Sequence, residues 1–237
     1  MPNPNGPYPG RQLFVGMTVD GRTALAYLVT GRSPQSRERK TTHRENSIIV
    51  GPLGNQPYDP LRHYTAVKYD DATGIIVVTN GIQTEAVYET YRLMHNIGTV
   101  PTADYMEKIM EGAGSEPDSL NTPRIAGVIT GHDKASIYFI GIKWLNTPAK
   151  VIQVKPALGT LIGISTYSGN LENPKPFESA SALPQLLFGG KDAKELAEYL
   201  FNLSLATYNG DDIRVCTVGG IYSAGKWAIA MVNKHQG

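Results

Sequence analysis

Arg32, Ser33, Ser36, Arg37, Arg39, Lys40, Thr41, Thr42 and Arg44 crowd into the stretch GRSPQSRERKTTHRE, residues 31–45, where the only acids are Glu38 and Glu45. A guanidinium presents a planar fork matched to phosphate oxygens, and hydroxyl donors among such cations complete the shell of a small anion. A monophosphate suits this segment. A solvated surface loop accounts for the same charges, and the residues alone leave both readings open.

Two further segments have the composition of a binding site. In TNGIQTE, residues 79–85, a strand runs into Asn80-Gly81 and a helix starts within a few residues. The unpaired N–H groups of a helix start attract anions and carbonyl oxygens, which makes Asn80 and Thr84 candidate contacts. The alternative is a tight turn at Gly81, a cap from Asn80 or Thr84, and Glu85 favouring the first turn. In SLNTPRIAGVITG, residues 119–131, Pro123 biases Thr122 to an extended conformation, so Asn121, Thr122 and Arg124 are presented at a stiff strand entrance. As a bare pattern, the same residues are a turn that introduces a strand.

Several chemistries lack their signatures. His43, His63, His95, His132 and His235 show no ligand spacing with one another or with Cys216, so no zinc site is expected. No G-x-x-x-x-G-K-[ST] loop, no G-x-G-x-x-G after a strand and no G-x-S-x-G elbow occurs. Cys216, the only cysteine, sits in the alternating run DIRVCTV and reads as a buried structural thiol that cannot form an intrachain disulfide.

The 237 residues hold 22 Lys plus Arg against 21 Asp plus Glu, a formal net charge of +1. That balance gives no global field for nucleic acid or an acidic membrane, so any bound anion must be small and locally held. With 41% hydrophobic residues the chain can bury a real core, and its length suits one large domain or two small ones. No apolar run is long enough to span a membrane, and the start MPNPNGPYPG lacks the n- and h-regions of a signal peptide. A cytoplasmic setting is expected. Four prolines in that start predict an extended tail over residues 1–10, followed by a single domain over 11–237.

The elements that must hold these residues follow from hydrophobic spacing. LFVGMTV and TALAYLV flank Asp20-Gly21 as a hairpin; SIIVG, YTAVKY and GIIVVTN read as further strands beyond a polar connection over 31–45. Ile82, Ala86, Val87, Tyr91 and Met94 predict a helix over 82–95, and Met106, Ile109, Met110 and Ala113 a second one after Thr102. RIAGVIT, SIYFIGIKW, KVIQVKP and TLIGISTY return to strands. A helix over 191–205, with Ala193, Leu196, Ala197, Leu200 and Leu203 on one face, precedes the closing strands DIRVCTVGG and WAIAMVN. Helices grouped between runs of strands predict α+β layers, not a doubly wound parallel fold.

Taken in order, four blocks resemble the archaeal-type IMP cyclohydrolase family: Arg32-Ser33 to Arg37 as R-S-x-x-x-R, Asn80 to Glu85 as N-G-x-x-T-[DE], Leu120 to Ala126 as L-N-T-P-R-I-A, and Ile164 to Tyr167 as I-S-T-Y. The likeness runs from about Arg11 to about Tyr167, and Leu120 to Ala126 is its most specific part. It implies a four-layer αββα fold like that of the N-terminal-nucleophile hydrolases, with two stacked, mainly antiparallel sheets.

The implied reaction is dehydrative closure of 5-formamido-imidazole-4-carboxamide ribotide to inosine monophosphate, with no metal or cofactor and with a homo-oligomer as the expected assembly. Under that resemblance Arg32, Ser33, Arg37 and Arg124 serve the phosphate or an oxyanion, and Asn80, Thr84, Asn121 and Thr122 contact or orient the substrate. Tyr64, Glu85 and Tyr167 are the nominees for proton transfer. The insertion Glu38-Arg39-Lys40 leaves the second phosphate cation open between Arg37 and Arg39. A nucleotide-binding protein without turnover, or another amide-bond hydrolase on the same fold, competes with this reading.

Overall fold

The computed structural model describes residues 8–131, 135–178 and 183–235. In chain order its elements are β1 (Arg11–Met17), β2 (Thr23–Thr30), α1 (Pro34–Arg37), β3 (Arg39–Arg44), β4 (Ser47–Pro52), β5 (Tyr64–Tyr69), β6 (Ile76–Thr79), α2 (Thr84–Asn96) and α3 (Ala103–Ala113). There follow β7 (Arg124–Thr130), β8 (Ile137–Lys143), β9 (Lys150–Val154), β10 (Thr160–Ser165), β11 (Gln185–Leu187), α4 (Ala193–Leu203), β12 (Thr207–Tyr208), β13 (Asp211–Asp212), β14 (Arg214–Ser223) and β15 (Lys226–Asn233).

Two large sheets form. One has six strands in the order β11-β10-β1-β2-β14-β15, the other seven in the order β3-β4-β5-β6-β7-β8-β9, and β12 pairs with β13 alone. Neighbouring strands are antiparallel in both large sheets. The hairpin between β1 and β2 turns at Asp20-Gly21, where Gly21 adopts φ 84°, a conformation that glycine takes without steric cost.

Period-two alternation explains the stacking. Along β2, Leu25, Tyr27 and Val29 join a core shared with Ile48, Val67, Ile76 and Ile125 of the seven-stranded sheet. The intervening Ala24, Ala26 and Leu28 face Leu196 and Leu200 of α4. On the other sheet, Ile76 and Val78 of β6 enter the inter-sheet core, while Val77 packs with Tyr91 of α2 and Met106 and Met110 of α3. Both sheets are therefore covered twice, each by the other sheet and by helices. Each fully buried Leu or Ile contributes about 1.5–3 kcal/mol relative to exposure.

The expected layers and nearly all the long elements are present; Leu203, expected on the inner face of α4, is exposed, and three larger differences stand beside it. The cationic stretch is not one connection: Ser33 caps the short α1, and β3 pairs with β4 from Arg39 to Arg44. Its inward residues are Arg39 and Thr41, so the strand has no apolar alternation to betray it. The stripe of α2 is rotated, because Thr84, Val87, Tyr88, Tyr91 and Met94 are buried while Ile82 and Ala86 face solvent. Tyr8 to Gly10, read with the tail, belong to the fold: Tyr8 is buried, its N–H donates to Gly169 O at 2.8 Å, and its ring stacks on Tyr167. The rest of that tail, residues 1–7, lies outside the described residues, as does His132.

Burial pushes the Cys216 thiol up to about 12, so it stays protonated at neutral pH. Close packing of α4 on β14 depends on Gly219, where a Cβ would stand 2.3 Å from the Ala193 carbonyl oxygen and 2.8 Å from Ala197 N. Gly219→Ala is expected to lower stability by about 1–3 kcal/mol through overpacking. In urea unfolding the midpoint should fall without a change in slope.

Candidate active site

A cavity of about 360 Å³ opens beside the start of β1, the α1 segment and the loop before β7. Its floor is an ion pair. Arg11, the first residue of β1, places Nη2 2.7 Å from Glu116 Oε1 and 2.6 Å from Oε2. The Glu116 side chain is only 2% exposed. Burial raises the Glu116 pKa above the ordinary carboxylate range, and Arg11 pulls it partly back.

Asn80 holds this pair to the scaffold. Its Nδ2 donates to Glu116 Oε1 at 3.0 Å and to Pro123 O at 2.9 Å, while its Oδ1 accepts from Ile125 N at 2.8 Å and Gln83 Nε2 at 3.2 Å. Both ends of the amide are thus committed to protein partners.

The loop from Glu116 to Pro123 is organised by Asp118. Its Oδ1 accepts from Leu120 N at 3.2 Å and Thr122 N at 2.8 Å, an Asx-type turn that accommodates Asn121 at φ 48°. Thr122 Oγ1 lies 2.5 Å from Asp118 Oδ2 and 2.5 Å from Tyr167 OH. An ionised carboxylate only accepts, so Thr122 donates to Asp118 and Tyr167 donates to Thr122. Burial pushes the Tyr167 phenol up to about 12, against the Thr122 bond, and keeps it protonated at neutral pH.

Arg32 and Arg39 also line the cavity. Arg32 Nη1 donates to Leu171 O at 2.8 Å, and its guanidinium sits 5.6 Å from the centre of the Tyr8 ring. Arg39 Nε donates to Ser36 O at 2.6 Å and its Nη1 to Arg62 O at 3.3 Å. Arg11 and Arg62 are paired with Glu116 and Asp59, but among the described residues neither Arg32 nor Arg39 forms a salt bridge. Ser33 and Ser36 line it as well. Two guanidinium groups without carboxylate partners, flanked by hydroxyls, suit an anionic ligand.

Of the residues expected to form the site, Arg32, Ser33, Thr122 and Tyr167 line the cavity. Between Arg37 and Arg39 the structure puts Arg39 at the cavity. Arg37 is turned away, donating to Arg32 O and to Asp211 Oδ2, both at 2.6 Å. Tyr64 lies buried outside the lining, its OH 2.9 Å from Tyr27 OH. Asn80 supports the floor. Arg124 is buried against the other side, with Nη1 3.3 Å from Gln83 Oε1 and Nε 3.4 Å from Ala113 O. Gly81 makes room for it, since a Cβ there would stand 2.2 Å from Nη1.

Thr84 spends its hydroxyl on Thr79 Oγ1 at 2.6 Å and Thr65 O at 2.5 Å, away from the cavity. Asn121 is exposed and outside the lining. Glu85, 55% exposed on α2, pairs with Lys68 and does not reach the cavity. Sequence reasoning overlooked Arg11, Glu116, Asp118 and Tyr8. The available signal was Glu116-Pro117-Asp118 immediately before the Leu120 to Ala126 block, an acid pair at a turn leading into a specific motif. Among the described residues no group of three or more His, Cys, Asp or Glu side chains could hold a metal ion. No described helix is long and apolar enough to cross a membrane.

Fold and site together define a two-sheet α+β protein whose cavity is lined by a buried acid and by two arginines that form no salt bridge among the described residues. A family model described as "IMP cyclohydrolase-like protein" matches residues 8–226, and the chain belongs to that family. Relatives named IMP cyclohydrolase include one from Methanocaldococcus jannaschii, 27% identical over 224 residues, 90% of this chain and 99% of the relative. Another, from Methanothrix thermoacetophila, is 28% identical over 188 residues, 77% and 86% of the two chains. A third, from Methanococcus maripaludis, is 28% identical over 161 residues, covering 68% and 74%.

The double commitment of Asn80 ties it to the scaffold on both sides. Asn80→Ala leaves the Ile125 N–H without its acceptor, at a cost of about 1–3 kcal/mol for the unsatisfied group, while Glu116 Oε1 keeps, among the described residues, only its bond from Arg11. Chemical denaturation should show the loss without any ligand present.

Proposed function

We propose that the chain catalyses the ring closure of 5-formamido-imidazole-4-carboxamide ribotide to inosine monophosphate, the activity in the names of its relatives. The observation that supports this most directly is the pairing, in one cavity, of the unneutralised Arg32 and Arg39 with the buried Glu116. A ribotide needs a clamp for its phosphate at one end and an acid or base at the other.

In the reaction the carboxamide nitrogen bonds to the formyl carbon and its proton passes to the former carbonyl oxygen, giving a carbinolamine. The C–O bond then breaks as the formamido nitrogen loses its proton and forms the C=N bond, and the hydroxyl leaves with that proton as water. One group can relay both protons, the first from the carboxamide nitrogen to the oxyanion and the second from the formamido nitrogen to the leaving hydroxyl. Glu116 fits this role, because burial brings its pKa toward the working pH, where general acid and base efficiencies are best balanced. Once Glu116 has taken up the proton it no longer neutralises Arg11, whose guanidinium, held on both Glu116 oxygens, then supplies positive charge for the oxyanion. Arg32, Arg39, Ser33 and Ser36 fix the phosphate, and that anchoring holds the reacting atoms in a near-attack geometry. Tyr167, kept protonated and oriented by Thr122 and Asp118, contributes a fixed hydroxyl at the wall.

The same reading takes the two stacked sheets and their helical covers as an N-terminal-nucleophile-hydrolase-like fold, with the chemistry moved from a terminal nucleophile to Glu116. A homo-oligomer and a cytoplasmic setting belong with it.

Incubation with the formylated ribotide should yield inosine monophosphate above the spontaneous rate, and no such excess overturns the proposal. Arg32→Ala and Arg39→Ala should each raise KM about 10- to 100-fold, as expected for losing a charged hydrogen bond of about 1.5–3 kcal/mol. Glu116→Gln should lower kcat by about 100- to 10,000-fold with a smaller change in KM.

A further inference from the structure

One wall of the cavity comes from the connection between β4 and β5, through Asp59, Leu61 and Arg62. This turn is closed by His63. The Arg62 and His63 N–H groups donate to Asp59 O at 3.0 Å and 2.7 Å, Leu61 N donates to Asp59 Oδ1 at 2.9 Å, and Arg62 Nε to Asp59 Oδ2 at 2.7 Å. The return contact is from the Asp59 N–H to His63 Nδ1 at 2.8 Å. A backbone N–H can only donate, so Nδ1 must be unprotonated and the ring neutral, with its proton on Nε2.

The turn reaches the phosphate clamp directly, because Arg62 O accepts from Arg39 Nη1 at 3.3 Å. His63 itself is buried. Asp59 and Arg62 face it from its own turn, Arg39 from β3, and the Tyr58 ring lies 5.5 Å away with its OH donating to His63 O at 2.8 Å. Burial first, and then Arg39 and Arg62, hold the His63 pKa below the ordinary histidine value despite Asp59.

We propose that His63 is a positioning residue whose neutral Nδ1 holds the Asp59–Arg62 turn against Arg39, so that protonating His63 releases the turn and weakens binding of the substrate phosphate. The sign is distinctive. A cation added near an anion site would by Coulomb attraction alone tighten binding, whereas loss of the acceptor loosens it. As pH falls, the unfolded chain takes up this proton before the folded one, so folded stability also declines below the ordinary histidine pKa.

The kinetic part of the test rests on the ring-closing activity proposed above, and the spectroscopic part does not. In 15N NMR of the whole protein at pH 7.5, His63 should show an unprotonated Nδ1 and a protonated Nε2, and it should titrate below the ordinary histidine value. A protonated ring or the opposite tautomer at pH 7.5 overturns the proposal.

For kinetics, His63→Asn replaces Nδ1 by a carbonyl oxygen that accepts but does not titrate, whereas His63→Ala supplies no acceptor. At pH 7.5, His63→Ala should raise KM about tenfold with kcat within about threefold, and His63→Asn should restore most of the loss. From pH 7.5 to 5.0 the wild-type KM should rise at least about threefold more than that of His63→Asn, since the titrations of the phosphate and of Glu116 are common to both. Equal acid responses, or a smaller rise in the wild type, overturn the proposal. An inert wild-type enzyme refutes the proposed function instead, and leaves the tautomer measurement to decide the role of His63.

Discussion

The buried pair of Arg11 and Glu116 is the constraint around which the site is built. Taking two ions out of water costs several kcal/mol each, repaid only when geometry is good and the remaining polar atoms find partners. Here Arg11 Nη2 reaches both carboxylate oxygens and Asn80 adds a further donor, while Arg11 Nε is buried without a hydrogen-bond partner among the described residues. The pair also joins the two halves of the fold: Arg11 opens a strand of the six-stranded sheet, and Glu116 stands in the loop that leads into β7 of the other. A residue placed there for chemistry is thereby placed by the architecture.

From that floor the polarity of the cavity follows. Arg11 is neutralised by Glu116 and Arg62 by Asp59, so the charge left for a ligand comes from Arg32 and Arg39. Their placement is secured through backbone carbonyls, which fix a guanidinium without cancelling its charge. Near-neutrality over the whole chain and a cationic pocket are therefore compatible. Nearest-neighbour pairing decides which cations remain available, and the total does not.

The edge strand β3, which carries Arg39, depends on a tie between the sheets. Asn233 of β15 accepts from Thr41 N at 2.7 Å and Thr41 Oγ1 at 2.9 Å and donates to Thr41 O at 3.1 Å. An edge strand with two buried polar residues gains little from apolar packing, so this three-bond contact takes its place. Arg39 follows from it, two residues away on the same inward face.

Much of the layered fold was legible in the residues, because alternation in β2, β6 and β7 and the spacing in α3 and α4 are local properties of the chain. β3 was not, since its inward positions are polar and their partners, Asn233 and Ser36 O, are set by folding. For the site, of the residues singled out by local chemistry Arg32, Ser33, Thr122 and Tyr167 line the cavity, whereas Glu85, chosen for its proximity to Asn80 in sequence, lies on the outer face of α2. The sequence by itself determined which side chains could hold an anion or move a proton, since those are properties of residue type. Only tertiary structure decided which of them meet: whether an arginine is cancelled by an acid, and whether an acid is buried enough to change its affinity for a proton, depend on neighbours as distant as Arg11 and Glu116.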